Sequence, residues 1–234
     1  MPSSARCATA GSTASCPAGE RHAIFERYDI VAGGYRDNVR CPRCGCRDRE
    51  RLVHLFLNLA GQRRLSGAGS RVLHIAPERR LEGFLRSSAC HYTSADLDGR
   101  NVDRQLDVTD MPDADASFEL VICNHVFEHV PSDGAALDEI ARVLTPNGVA
   151  IVQVPHATDL AHTHEDDTIT DVEARIAAFG QFDHARLYGR DYVERLSSRA
   201  LAFTPWLPDE DACERHGIDR RDPLMVGRRR DGVG

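Results

Sequence analysis

Histidine and carboxylate side chains are concentrated in three stretches of this 234-residue sequence, where they could move protons or bind a metal ion. An imidazole changes its charge near neutral pH, so histidine is the usual general base. In "HVFEHV", His125 and His129 share a face if the stretch begins a helix, and Glu128 could then complete a metal site. The alternative is that His125 contacts a cofactor while His129 packs beneath a sheet.

The second stretch, "HTHEDD" at 162–167, has three interpretations. It could supply metal ligands, form a lid that closes on a substrate, or be a solvated acidic turn. It belongs to a long polar segment, and long insertions in compact domains are usually functional or disordered. We therefore count His164 among the catalytic candidates, together with His125 and His184.

The third stretch, "FGQFDHARLYG" at 179–189, mixes aromatic and polar side chains. Apolar walls with a few polar groups are typical of a small-molecule pocket. The alternative is a structural network that holds this segment to the core. The candidate substrate-binding residues are Gln181, Asp183, His184, Arg186 and Tyr188.

The cysteines of "CPRCGC" raise the question of a zinc site. Cys41 and Cys44 have the two-residue gap of a zinc knuckle, and a closed site needs two further ligands. Cys7 and Cys16 are available upstream, but they are nine residues apart and do not form a second knuckle. A structural zinc on these four cysteines, no metal at all, and a catalytic zinc that captures a substrate thiolate all remain open.

Composition and charge exclude several classes of protein. The net charge of −7 argues against a nucleic-acid partner, which usually meets a basic surface. The sequence has no run of eighteen apolar residues, so we expect no membrane span. It has no apolar stretch near the N-terminus, so we expect no secretory signal. We therefore expect a cytoplasmic protein with reduced thiols.

The chain divides into three predicted parts. Residues 1–20 are expected to be a disordered leader. Residues 21–66 hold the cysteine-rich turn and a helix, which could also pair with a second copy in a homodimer. Residues 67–234 are expected to form the main domain, with a lid-like insertion over 156–187.

Strand and helix patterns alternate from residue 71 onwards, which predicts an α/β fold with a doubly wound, mostly parallel, seven-stranded Rossmann-like sheet. The apolar run "FELVICNHV" is typical of a strand that is buried on both faces. Helix "GAALDEIARVL" should end at "TPNG", and strand "VAIVQVP" should follow. "LAFTPWLP" and "DPLMVGRRR" could add two final strands.

The ends of these strands should bind a ligand, because ligands of parallel sheets lie beyond the carboxyl ends of the strands. The loop after the first strand reads Ala76-Pro77-Glu78 and has no glycine. It is a poor phosphate cradle, since proline removes one N–H, and this argues against a dinucleotide. Asp96 ends the second strand, where an acidic residue can accept hydrogen bonds from ribose hydroxyls.

The stretches "VLHIAPE" and "LDVTDMPDADASFELVICNHVFEHVPSDGAALDEIARVLTPNGVAIVQVP" resemble the core of the class I S-adenosylmethionine-dependent methyltransferases. "CPRCG" and "FGQFDHARLYGRDYVERL" are similar to one bacterial subfamily with a cysteine-bearing N-terminal segment. The likeness covers roughly residues 40–203. It implies S-adenosylmethionine as the cofactor.

The resemblance also implies roles for single residues. The loop formed by His74, Ala76, Pro77 and Glu78 would face the methionine part of the cofactor. The remaining cofactor contacts would be made by Asp96 and Leu97 at the ribose, Asp107 and the Val108 backbone at the adenine, and Asn124 and His125 near the sulfonium. Asp96 could instead cap a helix, Asp107 a turn, and Glu78 could be a first-turn acid of the next helix.

The implied function is methyl transfer to a small-molecule acceptor in specialised metabolism. A thiol acceptor is attractive because a thiolate needs only modest activation near neutral pH. Oxygen and nitrogen acceptors remain open. The competing hypothesis is a catalytically inactive module that binds the cofactor and uses its cysteine knuckle to hold a partner.

Overall fold

The computed structural model describes residues 16–19, 21–197 and 200–230, and its N-terminal part consists of short elements around one longer helix. These elements are β1 (Cys16–Ala18), α1 (Ile24–Arg27), β2 (Ile30–Val31), β3 (Arg36–Arg40), α2 (Asp48–Asn58) and a 3-10 helix (Arg63–Ser66). β1 pairs antiparallel with β3. The predicted leader therefore contributes a strand at 16–18, whereas residues 1–15 and 20 lie outside the described residues.

Strands and helices alternate through the middle of the chain, as predicted. The elements are β4 (Arg71–Ile75), α3 (Arg79–Arg86), β5 (His91–Asp96), β6 (Arg104–Gln105), β7 (Phe118–Asn124), α4 (Asp133–Val143) and β8 (Leu144–Gln153). The strand after α4 begins at Leu144 rather than after "TPNG", because Leu144 already pairs with Phe118. The helix thus ends at Val143, and the Pro-Asn-Gly sequence lies within the strand.

The C-terminal third contains the insertion and the last two strands of the sheet. It is built from β9 (His156–Ala157), β10 (His164–Glu165), α5 (Val172–Phe179), β11 (Arg186–Leu187), α6 (Tyr192–Leu196), β12 (Leu201–Trp206), α7 (Glu210–His216) and β13 (Leu224–Arg229). None of the helices in the described part of the chain is long and apolar enough to cross a membrane.

The central sheet has seven strands in the order β12-β13-β8-β7-β4-β5-β6. β4 is parallel to both β5 and β7, and β7 is parallel to β8. β13 runs antiparallel to β8 and β12. The predicted fold class is confirmed, and the carboxyl ends of β4, β5 and β7 meet at one edge of the sheet.

Burial on both faces explains why the central strands form where they do. Leu120, Val121, Ile122 and Cys123 of β7 are all fully buried, so one apolar cluster covers each face of the sheet. The helix α4 is capped by Ser132, whose hydroxyl accepts the N–H of Ala135. This cap and the apolar face of α4 fix the loop that precedes the helix, which carries the site described below.

A third apolar cluster joins the N-terminal part to the insertion. Ile24 of α1 packs with Phe179 of α5 and Leu187 of β11, and all three are buried. β2 also pairs antiparallel with β9. The insertion over 156–187 is therefore held from outside the main domain, by residues that come before the first strand of the alternating region.

Candidate active site

A groove opens beside the loop that follows β4. Ala76, Pro77, Asp96, Asn101 and Val102 line a cavity of about 570 Å³ there. The backbone of Ala76 has φ +47°, in the left-handed region that a residue other than glycine rarely adopts. Its N–H donates to the carbonyl of Ala95 at 2.8 Å. This strained turn, which costs on the order of 1–3 kcal/mol, aims the loop at the groove.

Glu78 is held by three side chains instead of facing the groove. It accepts from His74 Nε2 at 2.9 Å, from Arg49 Nε at 3.0 Å and from the Asn124 amide at 3.4 Å. Burial alone would raise the pKa of Glu78, but the hydrogen bond from His74 and the charge of Arg49 hold it at about 2. The carboxylate is therefore ionised and joins β4, β7 and α2.

His74 differs from its predicted role as a cofactor contact. Its side chain is fully buried, with Nε2 on Glu78 and Nδ1 on the Tyr92 hydroxyl at 3.0 Å. Both ring nitrogens are thus used within the protein, so His74 and Glu78 position the loop and do not line the groove. The sequence around a histidine on a buried strand does not distinguish contact with a cofactor from positioning of the loop.

Asp96 and Asp107 lie near each other at the edge of the sheet. The N–H of Leu106 donates to the carbonyl of Asp96 at 2.9 Å, which places Asp107 beside the tip of β5. Asp96 accepts the N–H of Asp98 with Oδ1, and Asp107 accepts from Thr109 with Oδ1. Both carboxylates stabilise local turns through Oδ1, and neither Oδ2 has a hydrogen-bond partner among the described residues.

Leu97 and Val108 flank these aspartates in different environments. Leu97 is 66% exposed, and an apolar side chain of that size gains by being covered. Val108 is buried, so its backbone rather than its side chain is available at this edge. Asn124 is buried as well, and its Oδ1 has no hydrogen-bond partner among the described residues.

The loop after β7 carries a second strained residue. His125 has φ +54°, and its N–H donates to the carbonyl of Gln153 at 2.8 Å. Its Nδ1 lies 3.2 Å from Glu128 Oε1, while its Nε2 is buried and has no partner within the described part of the chain. Burial and the charge of Arg49 lower the pKa of His125, so the neutral ring donates Nδ1–H to Glu128 and keeps a lone pair on Nε2.

A second cavity, of about 340 Å³, lies above His125. Its floor comes from the loop after β7, one wall from the N-terminal part and the opposite wall from the insertion. The polar residues and glycines that line it include Gly33, Gly34, Arg36, Arg47, Arg49, His125, Glu128, His129, Gln181 and His184. Two of the three catalytic candidates, His125 and His184, therefore line the same cavity.

Glu128 is the buried charge of this cavity. Its side chain is 1% exposed, and its Oε2 has no hydrogen-bond partner among the described residues. Burial would raise the pKa of Glu128, but the hydrogen bond with His125 and the neighbouring histidines lower it to about 2. Burial also lowers the pKa of His184. At neutral pH the cavity thus holds a carboxylate facing imidazoles.

His129 and Asp183 extend this cluster, and sequence reasoning did not place His129 with His184. His129 Nδ1 lies 3.2 Å from Asp183 Oδ2, and Gln181 donates to Asp183 Oδ1 at 2.8 Å. The His129 and His184 rings are 4.7 Å apart between centroids. His184 Nδ1 contacts the carbonyl of Phe179 at 3.1 Å. The predicted pair Gln181 and Asp183 is therefore brought to the cavity, with Asp183 orienting His129.

Arg186 and Tyr188 do not support their predicted substrate contacts. Arg186 is buried and donates to the carbonyls of Phe127, Val130 and Pro131, at the end of the loop that carries Glu128. Tyr188 is fully buried, and its hydroxyl donates to Asp133 at 2.9 Å. Both residues instead belong to a structural network, the alternative given above, because their polar groups hold the insertion to the core.

His164 is exposed on β10, where it pairs with Leu187, and it does not line the cavity. Its ring lies 5.4 Å from that of Phe179, on the outside of the insertion. His164 is therefore far less suited to catalysis than His125 or His184. The stretch "HTHEDD" contributes Glu165, which pairs with Arg186 and Arg195 and strengthens the attachment of the insertion.

The cysteines gain no support as a zinc site. Within the described residues, the groups of three or more possible ligands that lie close enough to share an ion comprise Glu128, His129 and His184, and no cysteine. Cys41 and Cys44 are in the turn before α2 and Cys16 is in β1, whereas Cys7 lies outside the described residues. This turn instead leads into Arg47 and Arg49, which line the wall of the cavity.

Residues 71–152 match the family model described as a methyltransferase domain. This range contains the strands β4 to β8 and both strained loops. A comparison with curated proteins gave no match. The family match supports a class I methyltransferase, while the predicted subfamily with a cysteine-bearing segment stays a prediction.

Several solved structures are similar in fold. A 1,6-didemethyltoxoflavin-N1-methyltransferase from Burkholderia thailandensis, with S-adenosylhomocysteine bound, is 16% identical, with a TM-score of 0.50 over 92% of this chain and 100% of that one. A putative sarcosine dimethylglycine methyltransferase from Galdieria sulphuraria is 14% identical, with a TM-score of 0.54 over 79% and 85%. The [4+2]-cyclase SpnF is 12% identical, with a TM-score of 0.51 over 84% and 85%. At these identities the likeness shows the fold alone.

Proposed function

Since this chain carries an S-adenosylmethionine-dependent methyltransferase domain of the class I fold, we propose that it methylates a small-molecule acceptor in the cavity above His125. The observation that carries this proposal is the cavity of about 340 Å³ between the N-terminal part and the insertion. That volume lies in the range of small-ligand pockets.

The residues at and just after the carboxyl ends of β5, β6 and β7 fit S-adenosylmethionine. Asp96 Oδ2 would accept from the ribose hydroxyls, Asp107 from the adenine amino group, and Leu97 would cover the base. The buried and unpartnered Oδ1 of Asn124 would accept a hydrogen bond near the methionine end. When bound, this cofactor supplies a methyl group on a positively charged sulfur.

His125 is the best-placed base for the acceptor. Its Nε2 carries a lone pair, is buried and lines the cavity, while Glu128 fixes the ring through Nδ1. A thiol or hydroxyl acceptor must lose its proton before or during methyl transfer, and His125 Nε2 is available to take it. A thiol needs the least help, because its ordinary pKa is close to neutral.

Arg47 adds a positive charge to the cavity wall. Burial and the neighbouring Arg49 lower the pKa of Arg47, yet a guanidinium stays protonated at neutral pH. Arg36 and Arg49 pair with Asp48 and Glu78, whereas Arg47 has no ion pair among the described residues. We therefore expect an acceptor with an acidic group, such as a thiol acid.

The cofactor half of this proposal is tested by calorimetry with S-adenosylmethionine and S-adenosylhomocysteine. Asp96→Asn and Asp107→Asn should each weaken binding by about 10- to 100-fold, the value of one hydrogen bond to a charged group. Asp211→Asn is the matched control, because Asp211 is exposed in α7 and Arg215 is its one ion-pair partner among the described residues. Equal affinity of all three variants would contradict the cofactor assignment.

The acceptor half is tested by transfer of a labelled methyl group to a panel of thiols, phenols and amines, each with and without a carboxylate. His125→Asn should reduce transfer by about 100- to 10,000-fold, the usual contribution of a general base. His164→Asn, on the outside of the insertion, should leave it unchanged. A protein that binds the cofactor but labels no acceptor would instead be a binding module or would run another reaction, as the cyclase neighbour does on this fold.

A further inference from the structure

We propose that Glu128, His129 and His184 bind a divalent transition-metal ion of the zinc class at the floor of the acceptor cavity. One possible ligand atom from each residue lies within 4.8 Å of the other two. Glu128 and His129 come from the loop after β7, and His184 comes from the insertion. The metal would therefore tie the core of the domain to the wall of the cavity.

The hydrogen bonds of the two histidines leave the same atom available on each ring. His129 contacts the Asp183 carboxylate through Nδ1, and His184 contacts the carbonyl of Phe179 through Nδ1. Histidines that bind metals commonly donate their other N–H to a carboxylate or a backbone carbonyl, which fixes the ring and the tautomer. Both Nε2 atoms are thus left with lone pairs, as metal ligation requires.

Glu128 provides the observation that points to a cation. Its Oε1 accepts from His125, but its Oε2 is buried and lacks a hydrogen-bond partner within the described residues. A buried charged oxygen without a partner is costly to a folded protein. A metal ion on Oε2 would satisfy this atom, and the hydrogen bond on Oε1 would hold the carboxylate in place for it.

The ligand set selects the class of metal. Two imidazoles and one carboxylate suit zinc and its neighbours among the transition metals, whereas magnesium and calcium prefer oxygen ligands throughout. Three protein ligands also leave at least one coordination position open, which is the pattern of catalytic rather than structural zinc. All three residues line the cavity, so the open position faces the space for the acceptor.

The role of this metal in catalysis rests on the proposed function. An acceptor thiol or hydroxyl would bind at the open position as its anion. Its S–H or O–H bond breaks, the electron pair binds the metal, and the proton passes to His125 Nε2 and from there to solvent. A coordinated thiol is deprotonated outright near neutral pH, so the metal would hold a ready nucleophile beside the cofactor.

Metal binding is tested first without acceptor or cofactor, so that its outcome is independent of the proposed function. Chelator-treated protein titrated with zinc should bind one ion per chain. Glu128→Gln, His129→Asn and His184→Asn should each weaken zinc binding by more than 100-fold, and Asp183→Asn by about 10- to 100-fold, as for residues that orient a ligand. His164→Asn and the double variant Cys41→Ser with Cys44→Ser should bind zinc like the wild type.

Cobalt substitution identifies the ligands by a second measurement. Ligation by imidazole and carboxylate should give weak visible bands without the strong near-ultraviolet band of cobalt thiolate. Retained affinity for S-adenosylmethionine in each variant shows that it is folded. The proposal is overturned if chelator-treated protein binds no zinc, if the cysteine variant loses zinc, or if the thiolate band appears. Zinc binding without any stimulation of methyl transfer would overturn only the role in catalysis.

Discussion

Glu78→Gln is the substitution that most directly tests how the cofactor loop is held. The change keeps the shape of the side chain but removes the charge that faces Arg49 and His74. The ordinary pKa of 4.5 falls to about 2 in the folded protein, and each unit corresponds to about 1.4 kcal/mol. The ionised carboxylate therefore contributes on the order of 3 kcal/mol to the free energy of unfolding at neutral pH.

The pH dependence of this loss follows from the direction of the shift. A carboxylate whose pKa is lowered by folding stabilises the protein above pH 4.5, and this contribution is lost as the pH falls toward 2. The difference in unfolding free energy between wild type and Glu78→Gln should be largest at pH 7. It should shrink by about 1.4 kcal/mol for each pH unit below 4.5.

Urea unfolding at pH 7 and at pH 4 measures this difference, and Glu82→Gln is its control on the same helix. Glu82 pairs with the half-exposed Arg86 at the surface, where an ion pair contributes at most about 0.5 kcal/mol. Calorimetry should also show weaker cofactor binding for Glu78→Gln, because the loop at Ala76 loses its anchor. Equal stability of the two variants at pH 7 would refute the idea that Glu78 anchors the loop.

Two further predictions concern buried groups outside the cavity. Burial and the nearby Asp48 raise the pKa of Asp222 from 3.8 to about 7. Because of this group, the wild type should lose up to about 4 kcal/mol of stability as the pH rises from 4 to 7. Asp222→Asn should remove that loss, as measured by urea unfolding at pH 5 and pH 8. Tyr188→Phe removes the hydroxyl bound to Asp133 and should cost roughly 1.5–3 kcal/mol of stability while the KM for the acceptor stays the same. A changed KM with unchanged stability would restore the substrate-contact role predicted from the sequence for Tyr188.

The sheet and the proximity of Asp96 to Asp107 were predictable because their signals are local. The run Leu120–Cys123 is apolar without alternation, which indicates a strand covered on both faces, and the structure buries it completely. Asp96 directly ends its strand, and Asp107 follows the next one. The carboxyl ends of parallel strands meet at one edge of the sheet, so residues that end successive strands lie close together in space.

Contacts between distant parts of the chain were not predictable in the same way. Arg49 reaches Glu78 across 29 residues, and His129 reaches Asp183 across 54. Nothing in the sequence near either partner indicates such a pairing. Arg186 and Tyr188 show a related limit, because aromatic and polar residues mixed together are typical both of a pocket and of a buried clamp, and only the direction of each side chain decides between them.

The boundary between the residues inside the family match and those outside it has a consequence for specificity. The family match begins at residue 71 and ends at residue 152, so it contains the groove beside the loop after β4, His125 and Glu128. The walls of the acceptor cavity come from outside it, from Arg47 and Arg49 on one side and His184 on the other. On the proposed function, the domain would present the methyl donor, and the flanking segments would select the acceptor. Those walls are therefore a better guide to the acceptor than fold neighbours that are 12–16% identical.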